Sequence, residues 1–109
     1  MALDITTDAA MLAVVPAGTQ PTDTDWVAAT WTRDAPTTSL PSTNRLTTVY
    51  WYAKVTGTVG AETDSAWLQL LVGPAGTVAL PDAAKVDVWS KITDTPEVPI
   101  QKHGTVTIS

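Results

Sequence analysis

Residues 48–55 read Thr-Val-Tyr-Trp-Tyr-Ala-Lys-Val, and this octapeptide is the clearest structural signal in the chain. Apolar side chains occupy every second position, with polar or amphipathic side chains between them. Because successive side chains of a β-strand point to opposite faces of a sheet, the pattern predicts a strand with one buried face. Val49, Trp51, Ala53 and Val55 are predicted to face the core, with Trp51 as its central side chain.

Further strand signals lie on both sides of this segment, separated by turn residues. No window longer than about ten residues has a convincing helical period. The polar, glycine-containing stretch 57–65 is predicted to be a connection, and Thr95–Ile100 an extended edge segment, because each proline restricts the residue before it. The remaining predicted strands lie within Leu3–Val15, Trp26–Arg33, Ala66–Val72, Thr77–Leu80, Lys85–Thr93 and Thr105–Ser109.

The composition supports the same fold class. The 20 Thr, 12 Val and 4 Ile together make 36 β-branched residues of 109, and such residues favour strands. About seven short strands in a chain of this length predict an all-β, immunoglobulin-like antiparallel β-sandwich, with a small closed barrel as the alternative. We expect one domain over residues 1–109, with residues 1–8 as an extended N-terminal arm and residues 34–45, which contain two prolines, as a long exposed loop.

The charge and the rare residues exclude several functions. Six Lys and Arg stand against eleven Asp and Glu, giving a net charge of −5, so a nucleic-acid partner is not expected. The chain has no Cys and one His, which excludes a disulfide, a thiolate site and a site with several histidines. The apolar run Ala9–Val15 is only seven residues long and has no basic segment before it. We therefore expect neither a signal peptide nor a membrane span.

The candidate catalytic and metal-binding groups are few. A hydrolytic triad would need His103 as its base, but the sequence Gln-Lys-His-Gly predicts a solvated histidine in a turn. Glu62 and Glu97, the only glutamates, are both predicted to lie in loops. Asp23-Thr24-Asp25 lacks the further ligands of a calcium loop and is predicted to form a turn. We therefore expect no enzymatic activity, no metal site and no cofactor.

Five Trp without any Phe is the unusual feature of the composition. Trp67 and Trp89 alternate with polar residues, so they are predicted to lie on an outer face or rim. The same two alternatives, an exposed ring or a ring that covers an edge of the fold, apply to Tyr50 and Tyr52. Exposed aromatic side chains can stack on sugars or anchor a protein contact, whereas the alternative is that they cover an edge of the sandwich. The candidate interface residues are Trp67, Trp89, Tyr50, Tyr52, Leu40 and Pro41.

Two stretches carry a resemblance to a known family. Leu71-Val-Gly-Pro-Ala-Gly-Thr-Val-Ala-Leu80 and Val88-Trp-Ser-Lys-Ile-Thr-Asp-Thr-Pro-Glu-Val-Pro-Ile100 resemble small virion-associated proteins of tailed phages that infect actinobacteria. The spacing of Trp26-Val-Ala-Ala-Thr-Trp31 also fits this family. The chain departs from it at Ala83 and Lys85, where similar proteins tend to carry Gly and Tyr, so a tyrosine corner is not expected.

The resemblance implies an immunoglobulin-like virion structural protein without enzymatic activity. The expectation is a capsid decoration protein that binds and stabilises the shell of major capsid protein on the capsid exterior, with the free subunits soluble in the host cytoplasm before assembly. The resemblance suggests a trimer, and a monomeric spike is equally compatible with 109 residues. A tail or head-tail accessory protein is the nearest alternative, and a carbohydrate-binding module for a host cell-wall glycan is the other. Contacts with the shell are expected at residues 34–45, with Met1–Thr7 and Pro96–Pro99 as equally eligible alternatives.

Overall fold

The computed structural model describes residues 9–59, 62–93 and 100–109. Strands account for the regular structure of these residues, and no helix occurs among them. The prediction of an all-β chain is confirmed. The strands are β1 (Ala9–Pro16), β2 (Val27–Ala28), β3 (Thr30–Thr32), β4 (Val49–Val59), β5 (Glu62–Val72), β6 (Lys85–Thr93) and β7 (Ile100–Thr107).

The strands form two antiparallel sheets. One sheet has the order β2-β1-β6-β7 and the other the order β3-β5-β4. The four-stranded sheet of a constant-type immunoglobulin domain holds the first, second, fourth and fifth strands. Here the four-stranded sheet holds the first, second, sixth and seventh strands, so the chain shares the division into four and three strands but has a different strand order.

The hydrophobic core lies between the two sheets. Trp51 is fully buried there, as predicted, Ala53 and Val55 are buried beside it, and Val49 packs partly buried against them. Its indole Nε1 donates a hydrogen bond of 3.0 Å to the hydroxyl of Thr43, which satisfies the one polar atom of this large side chain. The side chains that complete the core are Ala10, Leu12, Val14, Ala53, Val55, Leu68, Leu70, Val72, Val86, Val88, Ile92, Val106 and Ile108.

The chain connects the sheets at both of their lateral edges. The single strand predicted for Trp26–Arg33 is divided, because β2 pairs with β1 in one sheet and β3 pairs with β5 in the other. At the opposite edge, Thr43 pairs in parallel with Ile108 next to β7, and the chain continues from there into β4. These two crossings close the sides of the core that β-pairing alone would leave open.

One predicted connection and one predicted strand differ from the structure. Stretch 57–65 is not a polar loop, since β4 and β5 pair continuously from Val49 opposite Val72 to Val59 opposite Glu62. Thr77–Leu80 is not a strand, because only Val78 forms a β-bridge there. Both errors have the same cause, since cross-strand pairing rather than local composition decides where a strand ends.

The prediction of an exposed loop at residues 34–45 is wrong for its second half. Leu40 packs against the core, Thr43 is buried, and the backbone nitrogen of Tyr52 donates a hydrogen bond of 2.8 Å to the carbonyl oxygen of Ser39. This segment therefore covers the edge of β4. The N-terminal arm at residues 1–8, the contact expected at Met1–Thr7, and most of the extended segment 95–100 lie outside the described residues, as do Pro96–Pro99.

Two glycines with positive φ provide a matched test of this backbone. At Gly73, φ is 127° and an added Cβ would lie 2.5 Å from the carbonyl oxygen of Thr47. At Gly18, φ is 86° and nothing lies within 4 Å of the added atom. We expect Gly18→Ala to lower the free energy of unfolding by about 1 kcal/mol, and Gly73→Ala by about 3 kcal/mol because a backbone overlap adds to the strain. Urea unfolding of both variants measures the difference, and equal losses would contradict the close approach at Gly73.

Candidate functional site

The outer surface of the three-stranded sheet carries three of the predicted interface residues. Core residues alternate with outward-facing ones along β4 and β5, and the register places Tyr50 opposite Leu71, Tyr52 opposite Gln69 and Lys54 opposite Trp67. We call this surface the aromatic face. It consists of Tyr50, Tyr52, Lys54, Trp67, Gln69 and Leu71.

Contacts between neighbouring side chains order the aromatic face. The rings of Tyr50 and Tyr52 have centroids 6.3 Å apart and are tilted by 46°. The amide of Gln69 donates a hydrogen bond of 3.3 Å to the Tyr52 hydroxyl, and Lys54 Nζ lies 5.9 Å from the centroid of Trp67. Tyr50 is 47% exposed. The face therefore offers large, rigid aromatic area on a sheet, where few rotamers remain to be ordered when a partner binds.

A depression of about 230 Å³ lies at one side of the aromatic face. Thr30 on β3 and Thr77 after β5 form part of its wall, next to Tyr50 and Gln69. It combines hydroxyl and amide groups with an exposed aromatic ring. The aromatic face therefore has a concavity beside Tyr50, its most exposed ring, and a partner side chain could insert there.

Leu40 and Pro41 do not belong to the aromatic face. Leu40 is half-buried against the core, and its Cδ1 lies 3.2 Å from the position of a Cβ added at Gly104. Pro41 is half-buried, and its carbonyl oxygen accepts a hydrogen bond from the Thr43 hydroxyl. These two residues help to close the core edge, so little of Leu40 is available to a partner.

Trp89 lies on the other side of the molecule, on the outer surface of the four-stranded sheet. Ala13 and Val15, which share that surface, are 0% and 3% exposed although they point away from the core between the sheets. The loop of residues 17–26, which joins β1 to β2, lies over this surface, because its Gly18 nitrogen donates to Asp87 and its Trp26 ring lies beside Lys91. It continues the pairing of β1 with β6 through a hydrogen bond from the Ala17 nitrogen to the Lys85 carbonyl oxygen. No local sequence pattern predicts this covering loop.

Asp87 anchors the loop of residues 17–26 to the sheet. Its carboxylate is 2% exposed and accepts hydrogen bonds from the Gly18 backbone nitrogen at 3.0 Å and the Thr105 hydroxyl at 2.6 Å. Lys102 Nζ lies 3.3 Å from Oδ2. Burial raises the pKa of this carboxyl, but the hydrogen bonds from Thr105, Gly18 and Lys102, with the charge of Lys102, outweigh it and lower the pKa below 3.8. The group is thus a buried carboxylate with its acceptors satisfied.

A groove of about 450 Å³ lies between the loop of residues 17–26 and the outer surface of the four-stranded sheet. Two tryptophans form its aromatic walls, and Lys91 Nζ lies 4.8 Å from the centroid of the Trp26 ring. Among the described residues, Trp89 Nε1 is buried without a hydrogen-bond partner. We call this feature the indole groove. It is lined by Gln20, Pro21, Asp23, Trp26, Trp89, Lys91 and Ile100.

The predicted turn at Asp23-Thr24-Asp25 is confirmed, and it borders the indole groove. The Asp25 carboxylate accepts hydrogen bonds of 2.8 Å from the Thr22 nitrogen and 3.0 Å from the Thr22 hydroxyl. The Asp25 carboxylate therefore stabilises the turn, while Asp23 lines the indole groove. Within the ranges 9–59, 62–93 and 100–109, no group of three or more His, Cys, Asp or Glu side chains is placed to hold a metal ion.

The predicted turn at His103 is wrong, because the residue lies in β7, and its side chain is half-buried rather than fully solvated. A β-bulge in β7, opposite Val88 and Trp89, turns the imidazole toward β6, where its Nε2 lies 2.7 Å from the Ser90 hydroxyl. Ser90 is 2% exposed, so a substrate has no access to this hydroxyl. Of the glutamates, Glu62 is exposed at the start of β5 and Glu97 lies outside the described residues.

Stability at mildly acidic pH tests the environment of His103. Burial lowers its pKa below the ordinary 6.5, so the unfolded state binds more protons than the folded state between the lowered pKa and 6.5. The stabilisation is complete above pH 6.5 and falls as the pH drops through this window. We expect the free energy of unfolding of the wild type to fall between about pH 7.5 and about pH 5.5, and that of His103→Gln to change less. The same decrease in both proteins would contradict the partial burial of His103.

No protein-family model, no curated protein and no solved structure matches this chain. The described residues contain no helix of the length and apolar character needed to cross a membrane. The features available for a functional argument are therefore the aromatic face, the indole groove and the sequence resemblance.

Proposed function

We propose that the chain is a non-enzymatic structural protein of a tailed-phage virion, and specifically a capsid decoration protein that binds the major capsid protein. The resemblance of Leu71–Leu80 and Val88–Ile100 to virion-associated proteins supports the phage assignment. The aromatic face is the observation that carries the proposed binding role. We also propose that the domain is an immunoglobulin-like sandwich with a variant strand order, because its two antiparallel sheets have four and three strands.

The aromatic face has the composition of a protein interface. Tyr and Trp are enriched where proteins bind one another, and charged residues are depleted at the centre of such contacts. Lys54 is the one charged side chain of the face, and it lies near the ring of Trp67. Tyr50 and Trp67 are therefore proposed as the anchors of the contact with the capsid shell.

Repetition makes a small contact sufficient on a capsid. A shell presents its binding site many times, and a symmetric oligomer that engages several copies gains affinity from effective concentration without any new contact. A trimer of this chain would use three aromatic faces at once. The net charge of −5 would keep the free subunits soluble and separate before assembly.

Binding to particles assembled without this protein tests the proposal. Wild-type protein is expected to sediment with such particles, whereas Trp67→Ala or Tyr50→Ala should weaken binding about 30-fold, the equivalent of about 2 kcal/mol for a central interface side chain. Trp26→Ala is the matched control, because Trp26 is also half-buried beside a lysine but lies on the opposite surface. Unchanged binding of both aromatic-face variants would contradict the proposed contact.

A further inference from the structure

The indole groove has the size and the fixed walls of a small-molecule site. Its volume of about 450 Å³ lies in the range of known ligand sites. The loop that forms one wall is held at one end by the hydrogen bond from the Gly18 nitrogen to Asp87 and at the other by the pairing of β2 with β1, and the turn between Thr22 and Asp25 orders its middle. A site with walls fixed in this way loses little conformational entropy when a ligand binds.

The groups that line the groove define the chemistry of a ligand. Trp26 and Trp89 provide apolar aromatic area, while Asp23 accepts hydrogen bonds, Lys91 donates them and Gln20 does both. One positive and one negative side chain give the lining no net charge, so neither an anion nor a cation is favoured. A neutral molecule with one apolar surface and several hydroxyl groups satisfies all of these groups together.

We propose that the indole groove binds a neutral pyranose sugar. The C–H surface of a sugar ring packs against an indole, and its hydroxyls can donate to the Asp23 carboxylate and accept from Lys91 and Gln20. The Lys91 ammonium, now 4.8 Å from the centre of the Trp26 ring, is placed to donate to a hydroxyl at the same aromatic wall. This site is separate from the aromatic face, so sugar binding does not depend on the proposed capsid contact.

Nuclear magnetic resonance of the ¹⁵N-labelled full chain tests this proposal. The probes are the methyl glycosides of glucose, galactose, mannose and N-acetylglucosamine, each added to about 10 mM, which detects Kd values in the millimolar range. At least one glycoside is expected to shift the indole signals of Trp26 and Trp89 and the side-chain amide of Gln20, and to leave the Trp67 indole signal unchanged. Absence of these shifts with all four glycosides would overturn the proposal.

Matched variants show whether the lining groups make the contact. Asp23→Asn and Gln20→Ala change exposed positions, and each should weaken the binding of the active glycoside about tenfold. Trp67→Ala removes a tryptophan from the aromatic face and should leave the affinity unchanged. Unaltered affinity in both groove variants, or loss of sugar binding in Trp67→Ala, would overturn the proposed site even if sugar binding is found.

Discussion

Trp51→Ala is expected to lower the free energy of unfolding by about 4 kcal/mol, because it removes the largest fully buried side chain and leaves a cavity between the sheets. The Thr43 hydroxyl also loses the donor with which it is paired at 3.0 Å. Since domains of this size have about 5–15 kcal/mol of stability in total, a loss of this size leaves a large part of the population unfolded on mild heating.

Urea unfolding followed by circular dichroism measures the effect of Trp51→Ala. Trp67→Ala is the matched control, because the same substitution at a half-buried position on the outer face should cost about 1 kcal/mol. If Trp51→Phe retains most of the stability that Trp51→Ala loses, the volume of the buried ring contributes more to the stability than the hydrogen bond to Thr43. Equal losses at Trp51 and Trp67 would contradict the central position of Trp51.

Asp87→Ala is expected to lower the free energy of unfolding by about 3 kcal/mol. It removes the buried carboxylate that accepts from the Gly18 nitrogen and the Thr105 hydroxyl, and hydrogen bonds to a charged group contribute about 1.5–3 kcal/mol each. Lys102 contributes less, because its side chain is 47% exposed and solvent screens the ion pair. Asp82→Asn, at an exposed position after the end of β5, is the control and should change stability by less than about 0.5 kcal/mol.

The effect of Asp87 should also depend on pH in a defined direction. Its pKa is lowered in the folded state, so its stabilisation is present above the ordinary pKa of 3.8 and is lost as the pH falls through the lowered value. The difference in stability between the wild type and Asp87→Ala should therefore shrink below about pH 3.8. If the stability difference between the two proteins stays constant as the pH falls further, the Asp87 carboxylate is not held in its ionised form by its hydrogen-bond partners.

The alternation of residues in β4 was sufficient to predict the all-β class and the burial of Trp51. The sequence also contained a signal that the outer surface of β1 is covered, because Met11–Val15 is apolar at every position and such runs occur in strands buried on both faces. Local patterns did not predict what covers it. The covering loop depends on a carboxylate of β6 and the nitrogen of Gly18, which are 69 residues apart in sequence.

The grouping of the candidate interface residues could be predicted only in part. Tyr50 and Tyr52 share a face because they are two residues apart in one strand, and Trp67 joins them through the register of β4 with β5. Trp89 is on the other sheet, and the assignment of β6 to that sheet follows from its pairing with β1, which no local pattern reveals. Likewise, the bulge that turns His103 toward Ser90 is a property of the pairing between β6 and β7.

The copy number of this protein in purified virions, relative to the major capsid protein, tests the proposed function most directly. Quantitative mass spectrometry of intact particles provides this ratio. A capsid decoration protein should be present at one subunit per capsid subunit, or at one per a small fixed number of them. A ratio low enough for only a few dozen copies would contradict the decoration role and favour a tail or connector position, and complete absence from the particles would contradict the virion assignment.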